Sequence, residues 1–243
     1  MAFVSINPAT GEQFARYPET PPEHLEAALE RVYKAACQWG RRSFVDRAEA
    51  LRAVADVLDR QQAELARHIT LEMGKPIQAA EGEVAKCAWV CRHYAECGPS
   101  YLAPQDVATE HLQSRVVFRP LGVIMGVMPW NFPFWQVFRF GAPALMAGNS
   151  VLLKHAPNVP GCAERILAVM EEAGLPHGLM ETVYLDDETT GNLLTDQRVA
   201  AATLTGSVEA GRSLARKAGD NLKKTVLELG GSDPYIVLGD ADV

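Results

Sequence analysis

Apolar residues along the chain change their period part-way. Leu25, Ala28, Leu29 and Val32 recur at helical spacing after prolines 18, 21 and 22, which predicts a helix over 23–40. Further helices are expected over 45–60, over 62–73 with a stop at Gly74, and over 75–96 with closure at Gly98-Pro99. Ahead of them, residues 7–12 form a turn cluster between short extended pieces. Residues 101–119 differ in texture. Ser114, Arg115, Val116, Val117 and Phe118 predict an extended segment with no partner before it, an arm that pairs with another part of the assembly.

From residue 120 onward short apolar runs alternate with helical stretches. Strands are expected over 122–127, 150–154, 182–185, 200–204, 224–227 and 235–238, with helices over 134–147, 160–173, 188–194 and 208–218 between them. Such alternation implies an α/β fold, a parallel sheet with helices on both faces and right-handed crossovers, preceded by an N-terminal helical segment. The expected organisation is one unit over 1–243, with a helical lead-in 1–100, an arm 101–119 and the alternating core 120–243.

Composition narrows the function classes. With 243 residues, 48% of them hydrophobic, the chain is long enough to bury a sizeable core. A net charge of -7 argues against a nucleic-acid or membrane-surface partner. No apolar run reaches bilayer length, and the start from Met1 to Ser5 lacks the basic residues of a secretion signal. Five cysteines, an odd number, point to reduced thiols in a cytoplasmic protein. Cys87, Cys91, His93 and Cys97 invite a metal reading, but on one straight helix they cannot converge, and no metal site is expected.

The stretch with most chemistry is Met128-Pro129-Trp130-Asn131-Phe132-Pro133, where a buried strand gives way to a helix. Ligands bind at that end of a strand in open α/β sheets, and an Asn amide there can donate to a developing oxyanion. An Asx turn between two prolines explains the same residue. Lys154 ends the next strand, where a ribose or phosphate would lie or where a lysine is simply solvated. Glu228, in Val226-Leu227-Glu228-Leu229-Gly230-Gly231, is expected to be desolvated, with a raised pKa suited to a general base, unless it pairs with Lys223 or Lys224. No G-x-G-x-x-G follows any strand. The run from Gly206 to Ser213 comes within one residue of a P-loop, and 235–240 loosely resembles a metal-binding strand, but Arg212 stands where Lys is required. What survives is a helix opened by Gly206 and Ser207 whose N–H groups can hold a phosphate. Arg139 is the only charged residue from Phe132 to Ser150, and it needs an anionic partner, an internal carboxylate or a bound one.

Taken together, Pro129 to Pro133, Lys154, Leu204-Thr205-Gly206-Ser207 and Leu227 to Gly231 resemble the aldehyde dehydrogenase superfamily, in its order and spacing and over essentially the whole chain. The resemblance implies a Rossmann-like sheet without the glycine fingerprint and NAD(P)-dependent oxidation of an aldehyde through a cysteine thiohemiacetal and thioester. It makes Asn131 the oxyanion donor and Glu228 the general base. It places Met128, Pro129, Trp130, Lys154, His155, Ala156, Pro157, Gly206, Ser207 and Leu229 along the cofactor, NAD or NADP. The arm becomes an oligomerisation hairpin of a homodimer or homotetramer. Arg139 falls where enzymes of the succinate-semialdehyde type hold the substrate carboxylate, and the stretches 126–139 and 154–157 look most like the bacterial ones. Two departures stand out. Pro157 replaces the Glu that repels a 2′-phosphate in NAD-selective members, which leaves NAD versus NADP open. Cys37, Cys87, Cys91, Cys97 and Cys162 all precede the Glu-Leu-Gly-Gly motif, whereas the family's nucleophile follows it, so this chain alone is expected to be inactive. A non-catalytic nucleotide-binding module is the alternative.

Overall fold

The computed structural model describes residues 3–242. Met1, Ala2 and Val243, which entered the readings of the chain's start and end, lie outside the described residues. A hairpin of β1 (Phe3–Ile6) and β2 (Gln13–Tyr17) opens the chain around the expected turn. Four helices follow: α1 (Pro22–Trp39), α2 (Phe44–Arg60), α3 (Gln62–Met73) and α4 (Ile77–Tyr101). Ser43 and Asp46 close a reciprocal capping box on α2, and Gly74 ends α3 in the left-handed region.

Helix α4 does not stop at Gly98-Pro99 as its sequence predicts; it runs on to Tyr101. Gly98 is required by packing instead: a Cβ there would lie 2.4 Å from Cγ of Met146. Two-residue strands β3 (Gln105–Asp106) and β4 (Arg115–Val116) then pair antiparallel, with Leu112, Val117 and Phe118 exposed.

The core is a five-stranded parallel sheet of β5 (Val123–Met128), β6 (Ser150–His155), β7 (Met180–Thr182), β8 (Val199–Gly206) and β9 (Lys224–Leu229). Its order, β7-β6-β5-β8-β9, reverses direction between β5 and β8. The strands are joined by α5 (Trp135–Met146), α6 (Pro160–Glu172), α7 (Asp187–Asn192) with a short 3-10 turn, and α8 (Val208–Asp220).

Strand alternation sorts the side chains between two apolar clusters. Met128, Val151 and Leu153 join α2, α3, α4, α5 and α6 on one face; Met125, Leu152, Ala202 and Leu204 join α1 and α8 on the other. The lead-in therefore packs on the later sheet, α1 mainly on one face, with Ala35 and Trp39 reaching the other cluster, and α2–α4 through α5 and α6 on that other face. On β5, Gly126 lets α5 approach: a Cβ would sit 2.2 Å from Cζ of Phe140.

Two strand expectations need correction. Residues 182–185 pair only at their start, because β7 spans Met180–Thr182 and Val183 adds one backbone bond to Leu153 before the chain turns. Residues 235–238 form no strand. Tyr235 and Ile236 are 93% and 79% exposed, since β9 is the sheet's edge and nothing pairs with this run. An apolar run without a ladder partner has no reason to be extended.

Candidate active site

The reversal between β5 and β8 sets where ligands bind, in the crevice beyond the carboxyl ends of these strands. The chain leaves β5 into Asn131 and leaves β8 into Gly206-Ser207, so both predicted elements meet the same crevice. Asn131 is exposed, and its side chain makes no hydrogen bond among the described residues. That removes the Asx-turn explanation and leaves its amide available.

The loop around Asn131 is anchored by residues that sequence reasoning missed. Glu83, from α4 and buried, accepts from the N–H groups of Phe134 (2.8 Å) and Trp135 (2.9 Å) at the start of α5. Its second oxygen pairs with Lys75, whose ammonium sits 3.6 Å from the Phe132 ring centroid. From β6, His155 Nε2 donates to the Pro133 carbonyl at 2.8 Å while Nδ1 accepts from Ala156 N–H at 2.8 Å. Burial pushes this imidazole down to about 4, which keeps it neutral. His155 thus faces the loop rather than a cavity, and Met128 is likewise buried in the core.

Glu72 of α3 does for α6 what Glu83 does for α5. It accepts from Gly161 and Cys162 N–H, both at 2.7 Å, and from Ser5. Burial alone would raise its pKa, but hydrogen bonds from His68, Cys162, Ser5 and Gly161 outweigh that and lower it. Glu72, His68 and Cys162 bring three donor atoms within 4.8 Å of one another. The carboxylate is already occupied by the helix end, so the cluster reads as a cap. Cys87 and Cys91 are buried free thiols, and burial pushes Cys91 up to about 12. No signal in the spacing of single Glu residues could have revealed these long-range caps.

Arg139 and Glu228 find each other. On the α5 face of the sheet, Arg139 Nη1 lies 3.4 Å from Glu228 Oε2, and Nη2 donates to Thr205 Oγ1 at 3.0 Å. The Glu228 partner is therefore neither Lys223 nor Lys224. Nor is the carboxylate desolvated as expected: its side chain is 54% exposed, because edge strand β9 carries no helix on this side. A hollow of about 420 Å³ runs beside the pair, floored by Ile124, Ala201 and Val226.

A cavity of about 450 Å³ opens on the opposite face, between α7 and α8, lined by Val127, Asp187, Thr190, Gly191, Leu204, Ser207, Glu209, Ala210, Ser213, Leu214 and Lys217. Ser207 caps α8 by accepting from Ala210 N–H at 3.1 Å. The N–H groups of Val208 and Glu209, in the first turn of α8, have no intrahelical acceptor, and such groups can hold an anion. Lys154 is buried at the end of β6, with Nζ 3.0 Å from Asp187 Oδ1. Leu229 packs at Gly211, where a Cβ would lie 2.5 Å from its Cδ2. The remaining predicted residues, Trp130 and Pro157, border a separate hollow of about 470 Å³ beside β1. The α7–α8 cavity, with mixed polar and apolar walls, a helix N-terminus and the Lys154 ammonium paired to its wall residue Asp187, has the size and chemistry for an adenosine phosphate moiety. The P-loop alternative loses its metal strand, since 235–240 is not a strand, and Arg212 is exposed.

Similarity to known proteins agrees with this geometry. The chain is 49% identical over its whole length to a probable NADP(+) succinate-semialdehyde dehydrogenase of Synechocystis, covering 54% of that protein. It is 47% identical over 240 residues to the NAD(P)+ succinate semialdehyde dehydrogenase Sad of Escherichia coli, covering 52% of it. The crystal structure of succinic semialdehyde dehydrogenase from Streptococcus pyogenes with NADP+ superposes with a TM-score of 0.94 at 35% identity, matching 99% of this chain and 53% of that one. The chain thus spans about half the length of these relatives. A profile of the aldehyde dehydrogenase family matches residues 1–243 in full, and the chain belongs to that family.

Proposed function

We propose that residues 1–243 form the cofactor-binding part of an NAD(P)-dependent dehydrogenase that oxidises succinic semialdehyde to succinate. The observation that supports this reading is the Arg139–Glu228 pair. It sets a guanidinium beside a carboxylate on the α5 face of the sheet, and the unbonded amide of Asn131 follows the central strand β5. In this reading the Asn131 amide donates to the aldehyde oxygen as it gains negative charge. Glu228 takes the proton of the hydrolytic water. Arg139 receives the substrate's distal carboxylate bidentately, drawing its guanidinium off Glu228 and leaving that carboxylate free to act as base. The bound NAD or NADP supplies the electron acceptor for the oxidation. Lys154, Gly206, Ser207 and the first turn of α8 hold its adenosine phosphate end, with Trp130 and Pro157 further along. None of the five cysteines lies in the motif context of the family's nucleophile, and we assign that thiolate to residues outside 1–243. The exposed hairpin of β3 and β4 is the surface by which subunits pair into a homodimer or homotetramer, in the cytoplasm where its thiols stay reduced.

The test is Arg139→Met in the enzyme expressed from its whole reading frame. KM for succinic semialdehyde should rise by about 100-fold, the loss of a charge-assisted bidentate contact, while KM for a neutral aldehyde of similar length changes little. Equal effects on the two substrates would remove the dicarboxylate reading.

A further inference from the structure

The buried ammonium of Lys154 needs an anion beside it, and the chain supplies one from an unexpected element. The lysine side chain is 10% exposed, and the Asp187 carboxylate that meets it at 3.0 Å comes from α7 and is itself 98% exposed. Position 157, three residues past the lysine, is proline, which offers neither a side-chain oxygen nor an N–H. The cavity wall carries Asp187 and Glu209 against one ammonium, Lys217, and that ammonium already donates to Asn192 Oδ1 at 2.9 Å. A ribose 2′-hydroxyl satisfies this arrangement. It can donate to Asp187 and accept from Lys154 without disturbing their pair. A 2′-phosphate cannot, because it brings close to two negative charges, must take Lys154 from Asp187, and then faces the displaced carboxylate and Glu209.

We propose that Asp187 is a specificity-determining residue of the cofactor site, holding Lys154 for a ribose diol and excluding a 2′-phosphate, so that this protein takes NAD in preference to NADP. The proposal rests on the reading of the α7–α8 cavity as the cofactor site. Like-charge repulsion at a solvent-facing position is worth on the order of tenfold in affinity.

The experiment is calorimetric titration of the purified protein with NAD+ and with NADP+, for the unaltered chain, Asp187→Asn and Asp187→Glu. The unaltered chain should bind NAD+ at least about tenfold more tightly than NADP+. Asp187→Asn should close that gap by about tenfold, chiefly by tightening NADP+, and Asp187→Glu should preserve it. Equal or tighter binding of NADP+ by the unaltered chain, or a ratio that does not move in Asp187→Asn, would overturn the role of Asp187 while leaving the cofactor site standing. Binding of neither dinucleotide would overturn the cofactor site and Asp187's role with it. Because the Asp187 side chain projects almost wholly into solvent, neither substitution disturbs the core.

Discussion

Replacing Glu83 with alanine should unhinge the Asn131 loop and destabilise the whole sheet. The carboxylate is 1% exposed, accepts two backbone N–H groups at the start of α5, and neutralises Lys75, which is 8% exposed. Its removal leaves two buried donors without acceptors, each costing about 1–3 kcal/mol. It also leaves an ammonium buried without a counter-charge, and breaking such a pair costs about 3–5 kcal/mol. These penalties overlap, because Lys75 can relax toward solvent and water can enter at the freed helix end, so the net loss is set at about 4 kcal/mol. For a chain of this size that lowers Tm by roughly 8–16 °C. Urea unfolding followed by far-UV circular dichroism gives the number directly. The double variant Glu83→Ala with Lys75→Met separates the two penalties. Without the stranded ammonium it should be at least about 1 kcal/mol more stable than Glu83→Ala alone. A Glu83→Ala variant within about 1 kcal/mol of the unaltered chain, or a double variant no better than the single one, would refute the assignment of Glu83 as the buried cap of α5.

Two further outcomes follow from the same geometry. Burial holds the His155 imidazole at about 4, below its ordinary 6.5, so between those values the unfolded chain binds a proton that the folded one refuses. Stability should be intact above pH 6.5 and fall by up to about 3 kcal/mol as pH drops toward 4. His155→Gln should flatten that stretch of the profile in urea titrations, and an unchanged slope would discount His155 as its source. Residues 1–243 alone, supplied with NAD+ and succinic semialdehyde, should form no NADH above background. Sustained turnover would place the nucleophile among the five cysteines after all.

What was legible in the sequence depended on how local the determinants were. The first three long helices, the β5–α5–β6 unit and α8 all follow from periodicity, and their bounds fall within a residue or two of those predicted. Expectations failed where a partner decided the matter. Gly98-Pro99 looks like a helix stop until Met146 is seen to need the space. The run 235–238 looks like a strand until its edge position is known. Glu228 looked buried because its strand is apolar, yet one face of β9 carries no helix. At the site, Asn131 and Ser207 were legible because strand–helix junctions are. Glu72, Glu83 and Asp187 were not, since each acts on an element far away in the sequence.

The capping glutamates also bear on how the protein is made. Glu83 serves N–H groups 51 and 52 residues later, and Glu72 serves groups 89 and 90 residues later. During synthesis these carboxylates leave the ribosome well before the helix ends they will hold, and until then, among the described residues, only the side chains of Lys75, Ser5 and His68 are at hand to partner them. The early helices therefore lack four of their backbone donors until α5 and α6 emerge and supply them. The first hundred residues are for that reason no transplantable module. A foreign sheet could accept them only if its own helix ends arrived at the same two places.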